Sequence, residues 1–265
     1  MNSKKCSILI CSLNRKQSLN RLLLSIEKQT FKDYEVIICE EEGNLVELKD
    51  KAWRKSNGEI LIWLDDDIRI INDTWLENIV YYFDAYHNVV GVTGPTYVSI
   101  EYRKNRDIFK GGLFKLFYNW FFLEGRAYYP GRITSCGVNT IGANYNTLHS
   151  LYTQEVDFLE PCQFAIRRWV VEEADGFDLS FTGVAEWCDV DLCYRIKKYG
   201  KLMYLPYLSV HHYPEIDAVT NKRLDTVSRY QNYCRWADRY VNPSFKNKLY
   251  RLFLWSYFKL KGITK

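Results

Sequence analysis

Several patterns that would assign a function at once are missing from these 265 residues. There is no G-x-G-x-x-G after a strand-like run and no G-x-x-x-x-G-K-[ST], so a dinucleotide-binding domain and a P-loop NTPase are both disfavoured. No C-x-x-C pair occurs among the eight cysteines, which argues against a zinc site or a disulfide framework. Cys6, Cys11 and Cys39 instead lie inside apolar runs, where a reduced thiol behaves as a small hydrophobe, and a reducing compartment is expected. No apolar stretch reaches the length of a membrane-spanning helix. The segment Met1 to Lys5 leads straight into a short strand-like run with the wrong flanks for a signal peptide, so a cytoplasmic location is predicted. Charge of one sign is also scarce: 36 Lys and Arg against 32 Asp and Glu leave only +4, little support for nucleic acid as the main partner.

What is present is ordinary in polarity and rich in rings. Apolar residues make up 47% and charged residues 26%, which excludes a disordered or collagen-like chain. Aromatics reach 16%, enough to suggest stacking platforms or a membrane interface besides the core. Ser7 to Cys11, Glu35 to Cys39 and Ile60 to Leu64 read as buried strands, separated by helical spacings at Leu19, Leu22, Leu23 and Ile26 and around Val46 to Lys55. This alternation predicts an α/β fold with a mostly parallel sheet flanked by helices. A helix over Trp75 to Tyr86 and a strand over Val89 to Thr93 follow.

The stretch Glu59-Ile60-Leu61-Ile62-Trp63-Leu64-Asp65-Asp66-Asp67 organises the rest. Three carboxylates cannot follow five apolar residues into a core, so they sit at the strand's carboxyl edge, where open α/β sheets bind ligands. A divalent cation with oxygen ligands would relieve their repulsion; a solvated acidic turn is the plainer alternative. A second acid cluster, Glu186 to Asp191, comes late, with Glu186 and Asp189 on one face if the segment is helical and Asp191 pointing away. Favourable carboxylates at a helix start are the alternative there. His211-His212 follows the strand-like segments Leu202 to Pro206 and Leu208 to Val210. Between the halves, Leu113 to Leu123 is apolar nearly all round, and Gly125, Gly131, Gly137 and Gly142 suggest a loop-rich region over a site. The tail from Lys222 reads as helical, and Phe245 to Lys261 mixes cations with large rings and carries no acid, as an in-plane membrane helix or a helix docking on its own domain would.

Taken in order, Ser12-Leu13-Asn14-Arg15, the acids after the second strand, Asn57-Gly58-Glu59, Leu64-Asp65-Asp66-Asp67, Gly176-Phe177-Asp178, Asp189-Val190-Asp191-Leu192 and Pro206 to His212 resemble the large inverting, nucleotide-sugar-dependent glycosyltransferase family with the GT-A fold. The resemblance implies a GT-A domain over residues 1–220, divided into a nucleotide-binding half (1–96), a variable insertion (97–155) and an acceptor and catalytic half (156–220), followed by a helical extension over 221–265. It implies that Ser12, Asn14, Arg15, Glu40, Asp65 and Asp66 bind the nucleotide sugar, UDP- or GDP-linked. Asp65, Asp67 and His212, with His211 as fallback, would hold Mn2+ or Mg2+. Asp189 would be the catalytic base, with Glu186 the alternative, and Glu186, Trp187 and Arg167 would contact a glycan or lipid-linked acceptor. The chain departs from the family's usual pattern after the second strand, where Glu40-Glu41-Glu42-Gly43 replaces Asp-Asp-Gly-Ser, and at Cys188-Asp189, where a Glu-Asp pair is usual.

Rival readings fare worse. Sugar nucleotidyltransferases need a glycine-rich phosphate loop, and Ser12 to Gln17 contains no glycine. Aspartyl-phosphate phosphatases place D-x-D after the first strand and follow it with a small hydroxyl residue, unlike Ile68-Arg69-Ile70. A non-catalytic, membrane-peripheral scaffold on a transferase-like fold is the alternative from another class.

Overall fold

The computed structural model describes residues 4–98, 112–140, 151–213 and 226–263. Gly142, the start of the tail at Lys222 and much of the 97–155 insertion lie outside the described residues. Strands β1 (Cys6–Cys11), β2 (Tyr34–Cys39) and β3 (Ile60–Asp65) alternate with helices α1 (Lys16–Glu27) and α2 (Leu45–Arg54). Next come β4 (Ile68–Ile70), α3 (Trp75–Ala85), β5 (Val89–Thr93), β6 (Thr96–Tyr97), α4 (Leu113–Phe121) and β7 (Gln154–Glu155). The chain continues through β8 (Gln163–Arg167), α5 (Arg168–Glu173), α6 (Cys188–Ile196), β9 (Lys201–Tyr204), β10 (Val210–His212), α7 (Thr226–Tyr240) and α8 (Phe245–Ile263).

Seven strands form the main sheet in the order β2-β1-β3-β8-β5-β9-β7. β1 pairs in parallel with β2 and β3, β9 in parallel with β5, while β8 runs antiparallel between β3 and β5 and β7 antiparallel to β9. The parallel register sets Cys11 against both Cys39 and Asp65, so three strands end along one edge. Successive strand residues face opposite sides of a sheet, and the core divides accordingly. Ile8, Ile10, Ile60, Ile62 and Leu64 pack with α1, α3 and a second, three-stranded sheet, whereas Leu9, Leu61, Trp63 and Ile166 pack with α2, α5, α6 and α7. Gly58 is required where the chain enters β3, because a Cβ there would lie 2.5 Å from the backbone of Cys6 and Ser7.

The three-stranded sheet, β4-β10-β6, has no counterpart in the sequence reading. Its strands are two or three residues long, too short to show periodicity. It moves the expected strand at Leu208 to Val210 forward, so that His211 and His212 lie within β10 rather than after it. The helical extension shares the main core: Tyr233, Trp236 and Tyr250 are buried in the same cluster as Trp63 and Phe164.

Candidate active site

Asp65 ends β3, and Asp66 and Asp67 form the corner at which the chain leaves the seven-stranded sheet for β4. The three acids have different surroundings. Asp66 is buried and accepts from the Ser12 hydroxyl at 2.7 Å and from Arg15 Nη1 at 2.6 Å. Asp67 Oδ2 accepts from the same Arg15 nitrogen at 3.0 Å, and its Oδ1 lies 3.0 Å from His212 Nε2. Burial works against the Arg15 charge, but Asp66 and Asp67 outweigh it and hold the guanidinium above the usual arginine value. At Asp65 burial and the neighbouring Asp67 push the carboxyl above the usual range, against the opposing charges of Lys49 and His212.

Strand pairing brings the histidine in. β10 runs antiparallel to β4 with His212 opposite Ile68 and His211 opposite Arg69. Neighbouring strand residues face opposite ways, so His212 turns to Asp67 while His211 meets the Tyr97 ring edge-on at 5.7 Å and Tyr213 Oη at 3.4 Å. A third potential ligand arrives from β8. The Asp65 N–H donates to the Cys162 carbonyl at 3.0 Å, and one ligand atom each from Asp65, Cys162 and His212 lie within 4.8 Å of one another. Carboxylate, imidazole and thiol are a donor set that fits a divalent cation.

The second acid cluster lies on the same edge. Asp189 stands in the first turn of α6, where the helix dipole favours a carboxylate. Its Oδ1 accepts from Lys49 Nζ at 2.7 Å, and both side chains are 8% exposed. Burial opposes the Lys49 ammonium, but Asp189, Cys188 and Asp65 outweigh it and raise it above the usual lysine value. At the end of β1, the Cys11 thiol feels Lys49, Asp65 and Asp189 together, and burial pushes it up to about 12. Lys49 therefore links the two acid clusters, bonded to Asp189 and within electrostatic reach of Asp65. Below Lys49, Trp63 stacks on Phe164 at 5.0 Å and meets Phe177 edge-on at 5.5 Å. Gly176, with φ +67°, turns Phe177 into that position. The Phe177 N–H and Trp53 Nε1 both donate to Asp50 Oδ1, fixing α2 and hence Lys49.

Three expectations need correction or relocation. Arg167 is opposite Ile60, the first residue of β3, at the far end of the sheet from Asp65. Its guanidinium donates to the carbonyls of Val89, Phe83 and Tyr86, so it caps α3, away from the acid clusters. Glu186 does not share a helical face with Asp189, because α6 begins at Cys188 and Trp187 takes φ 76° between them; Glu186 instead pairs with Arg229 of α7 at 2.6 Å. Trp187 stacks on Trp236 at 4.7 Å and meets Tyr233 edge-on, which commits much of its ring to the helical layer. Asp191 is buried against Arg195, Arg239 and Tyr240 and is structural. Asn14, with φ 56°, and Glu40 are exposed at the carboxyl edge beside Ser12.

Sequence reasoning missed Lys49 and Cys162. Lys49 could have been flagged, since Val46, Lys49 and Trp53 fall on one face of α2 and a lysine on an apolar face needs a partner. Cys162 could not, because an antiparallel strand inserted between β3 and β5 is what sets it beside Asp65.

The architecture is that of the GT-A glycosyltransferases, with a mostly parallel central sheet and flanking helices. Five of the seven main strands share one direction. Residues 7–116 match the model of a glycosyltransferase-like family. No curated protein sequence matches significantly. Among solved structures, a mannosyltransferase from Pyrobaculum calidifontis in complex with GDP-Man and Mn2+ is similar with a TM-score of 0.56 and 15% identity, over 97% of this chain and 70% of that one. GalNAc-T7 with UDP, GalNAc and Mn2+ gives 0.60 and 15%, over 89% of this chain and 48% of that one. S. aureus TarS 1-349 gives 0.56 and 13%, over 98% and 72%. At such identities the likeness carries the fold alone. Among the described residues no helix is long and apolar enough to cross a membrane.

Proposed function

We propose that the chain is an inverting, metal-assisted glycosyltransferase that moves a sugar from a UDP- or GDP-linked donor to a hydroxyl of a glycan or lipid-linked acceptor, with residues 1–220 as the transferase domain. The observation that carries this is the pairing of Asp189 with Lys49, within electrostatic reach of Asp65 at the Asp65 to Asp67 corner. One carboxylate site serves the leaving diphosphate and the other the attacking hydroxyl, as a single displacement requires. Asp65 and His212, with Asp67 behind them, would hold Mn2+ or Mg2+, which neutralises charge developing on the leaving diphosphate. Arg15 fixes the corner by engaging Asp66 and Asp67 at once. Ser12, Asn14 and Glu40 lie along the edge assigned to the nucleotide. Lys49 holds Asp189 Oδ1, so Oδ2 is assigned the acceptor's proton.

Calorimetry with UDP- and GDP-linked sugars, with and without Mn2+, tests this reading. Asp67→Ala is expected to abolish metal-dependent donor binding, and Asp189→Asn to bind donor normally and transfer nothing. Full transfer by Asp189→Asn moves the base to Glu186, and silence toward every nucleotide sugar favours a scaffold.

A peripheral membrane location on the cytoplasmic side is supported by the outer helices. On α4, Leu113, Leu116, Phe117 and Trp120 are exposed, and on α8 so are Phe245, Leu252, Trp255 and Leu260. α8 carries lysines and an arginine and no acid, the composition of a helix lying in a lipid interface. Arg229, the partner of Glu186, lies over the Phe258 ring of α8 at 5.2 Å, so the acceptor side of the cleft adjoins this face. Flotation with anionic liposomes, lost on truncation before Phe245, is the expected result; unchanged flotation removes the membrane assignment.

A further inference from the structure

We infer that Cys162 is a sulfur ligand of the cation at the Asp65 corner, and that the site therefore takes borderline divalent cations such as Co2+ and Zn2+ better than an all-oxygen site would. The inference rests on the metal reading above and adds to it a ligand, and with it a metal preference.

The geometry is built rather than incidental. Cys162 stands one residue before β8, and its carbonyl receives the Asp65 N–H at 3.0 Å. The following residue, Gln163, is buried and donates through Nε2 to the Pro95 and Leu208 carbonyls at 3.0 and 2.9 Å, anchoring the start of β8 to the segments that lead into β6 and β10. His212 is fixed by pairing with β4. Sulfur, carboxylate oxygen and imidazole nitrogen thus converge within 4.8 Å from three separate strands or their ends. Ligand atoms on a four-coordinate cation with bonds of about 2.0–2.3 Å stand roughly 3.3–3.8 Å apart, so closure needs only small side-chain rotations. Of the other cysteines, Cys6, Cys39, Cys136, Cys188 and Cys193 are buried within the two apolar clusters.

Hard cations prefer carboxylate, carbonyl and water, whereas a thiolate beside imidazole selects softer ones. On ligation the S–H bond breaks, the proton passes to solvent and the sulfur pair goes to the metal.

The test is a Co2+ titration of the full chain, without donor, followed by absorption spectroscopy. A near-ultraviolet sulfur-to-cobalt charge-transfer band is expected in the parent protein. In Cys162→Ser the visible cobalt bands should remain while that band disappears, with Co2+ and Zn2+ affinity falling ~10–100-fold and Mn2+ affinity changing little. Circular dichroism checks that the variant is folded. As an independent readout, alkylation of Cys162, located by mass spectrometry, should slow when Co2+ is bound. Cobalt bound with visible bands but no charge-transfer band overturns the sulfur ligand and leaves the metal site standing. Failure of the parent to bind Co2+ or Mn2+ at all defeats the metal reading and this inference with it.

Discussion

The buried Lys49–Asp189 pair allows a quantitative test that does not depend on knowing the substrate. At a separation near 3 Å the Coulomb attraction is about 5 kcal/mol at an effective dielectric of about 20. Desolvating the two ions costs several kcal/mol each, so the intact pair contributes little net stability. Breaking it is a different matter. Lys49→Met keeps the length of the stem and its contact with the Phe164 and Phe177 rings, but strands the Asp189 carboxylate, and should cost about 3–5 kcal/mol. For a chain of this size that lowers the midpoint of thermal unfolding by roughly 10 °C. The double variant Lys49→Met with Asp189→Leu removes both charges and should recover to within about 1–2 kcal/mol of the parent, roughly 2–4 kcal/mol better than Lys49→Met alone. Differential scanning calorimetry of the parent, the two single variants and the double variant measures all of this. Additive losses, or a Lys49→Met protein that unfolds with the parent, would refute the buried pair and with it the link between the two acid clusters.

Other expectations concern the same edge. Because burial and Asp67 raise the Asp65 carboxyl, its contribution to metal-free stability is complete below about pH 4 and is lost as pH rises through the elevated folded value. Mn2+ takes the deprotonated carboxylate, so at one fixed Mn2+ concentration the metal-induced stabilisation, read from the unfolding temperature, should grow with pH and amounts to about 2.7 kcal/mol where that concentration is a hundred times Kd; a stabilisation independent of pH contradicts it. Arg15→Ala should leave Asp66 and Asp67 repelling each other and weaken Mn2+-dependent donor binding by at least ~10-fold in calorimetry, with little change for Arg167→Ala, whose guanidinium serves α3. Gly176→Ala places a Cβ against Asp50 Oδ1 in a left-handed turn, and chemical denaturation should register a loss of about 2 kcal/mol or more.

How much of this was legible depended on whether the signal was local. The strand at Val89–Thr93 was readable residue for residue, and the first three strands to within one or two at their starts, because each is a short apolar run bounded by turn residues. The acids after β3 announced their own position for the same reason: charge cannot enter a sheet buried on both faces. What escaped was set by contacts across the sequence. β8 enters the sheet antiparallel, and nothing in Gln163–Arg167 distinguishes that from a parallel strand. The misplacement of Arg167 follows directly, since reversing a strand exchanges its ends: Cys162 goes to the edge that carries Asp65 and Arg167 to the opposite one.

The same logic explains why the three aspartates are not interchangeable. Asp65 is the last residue in register with β1, so it inherits the direction of a sheet residue and turns toward the cleft shared with Lys49. Asp66 bonds Ser12 and Arg15 and ties the corner to the turn after β1. Asp67 begins the passage into β4, and its carbonyl accepts the Tyr213 N–H at 2.7 Å just past β10. Its carboxylate meets His212 because that residue lies next to Tyr213 on the inward side of the strand. A one-residue slip of β10 against β4 would present His211 instead and move every ligand by one strand face. The buried apolar residues Ile68, Ile70 and Val210 are what hold that register. Ile70→Asp should therefore weaken Mn2+ binding without touching a ligand, through the loss of His212's position.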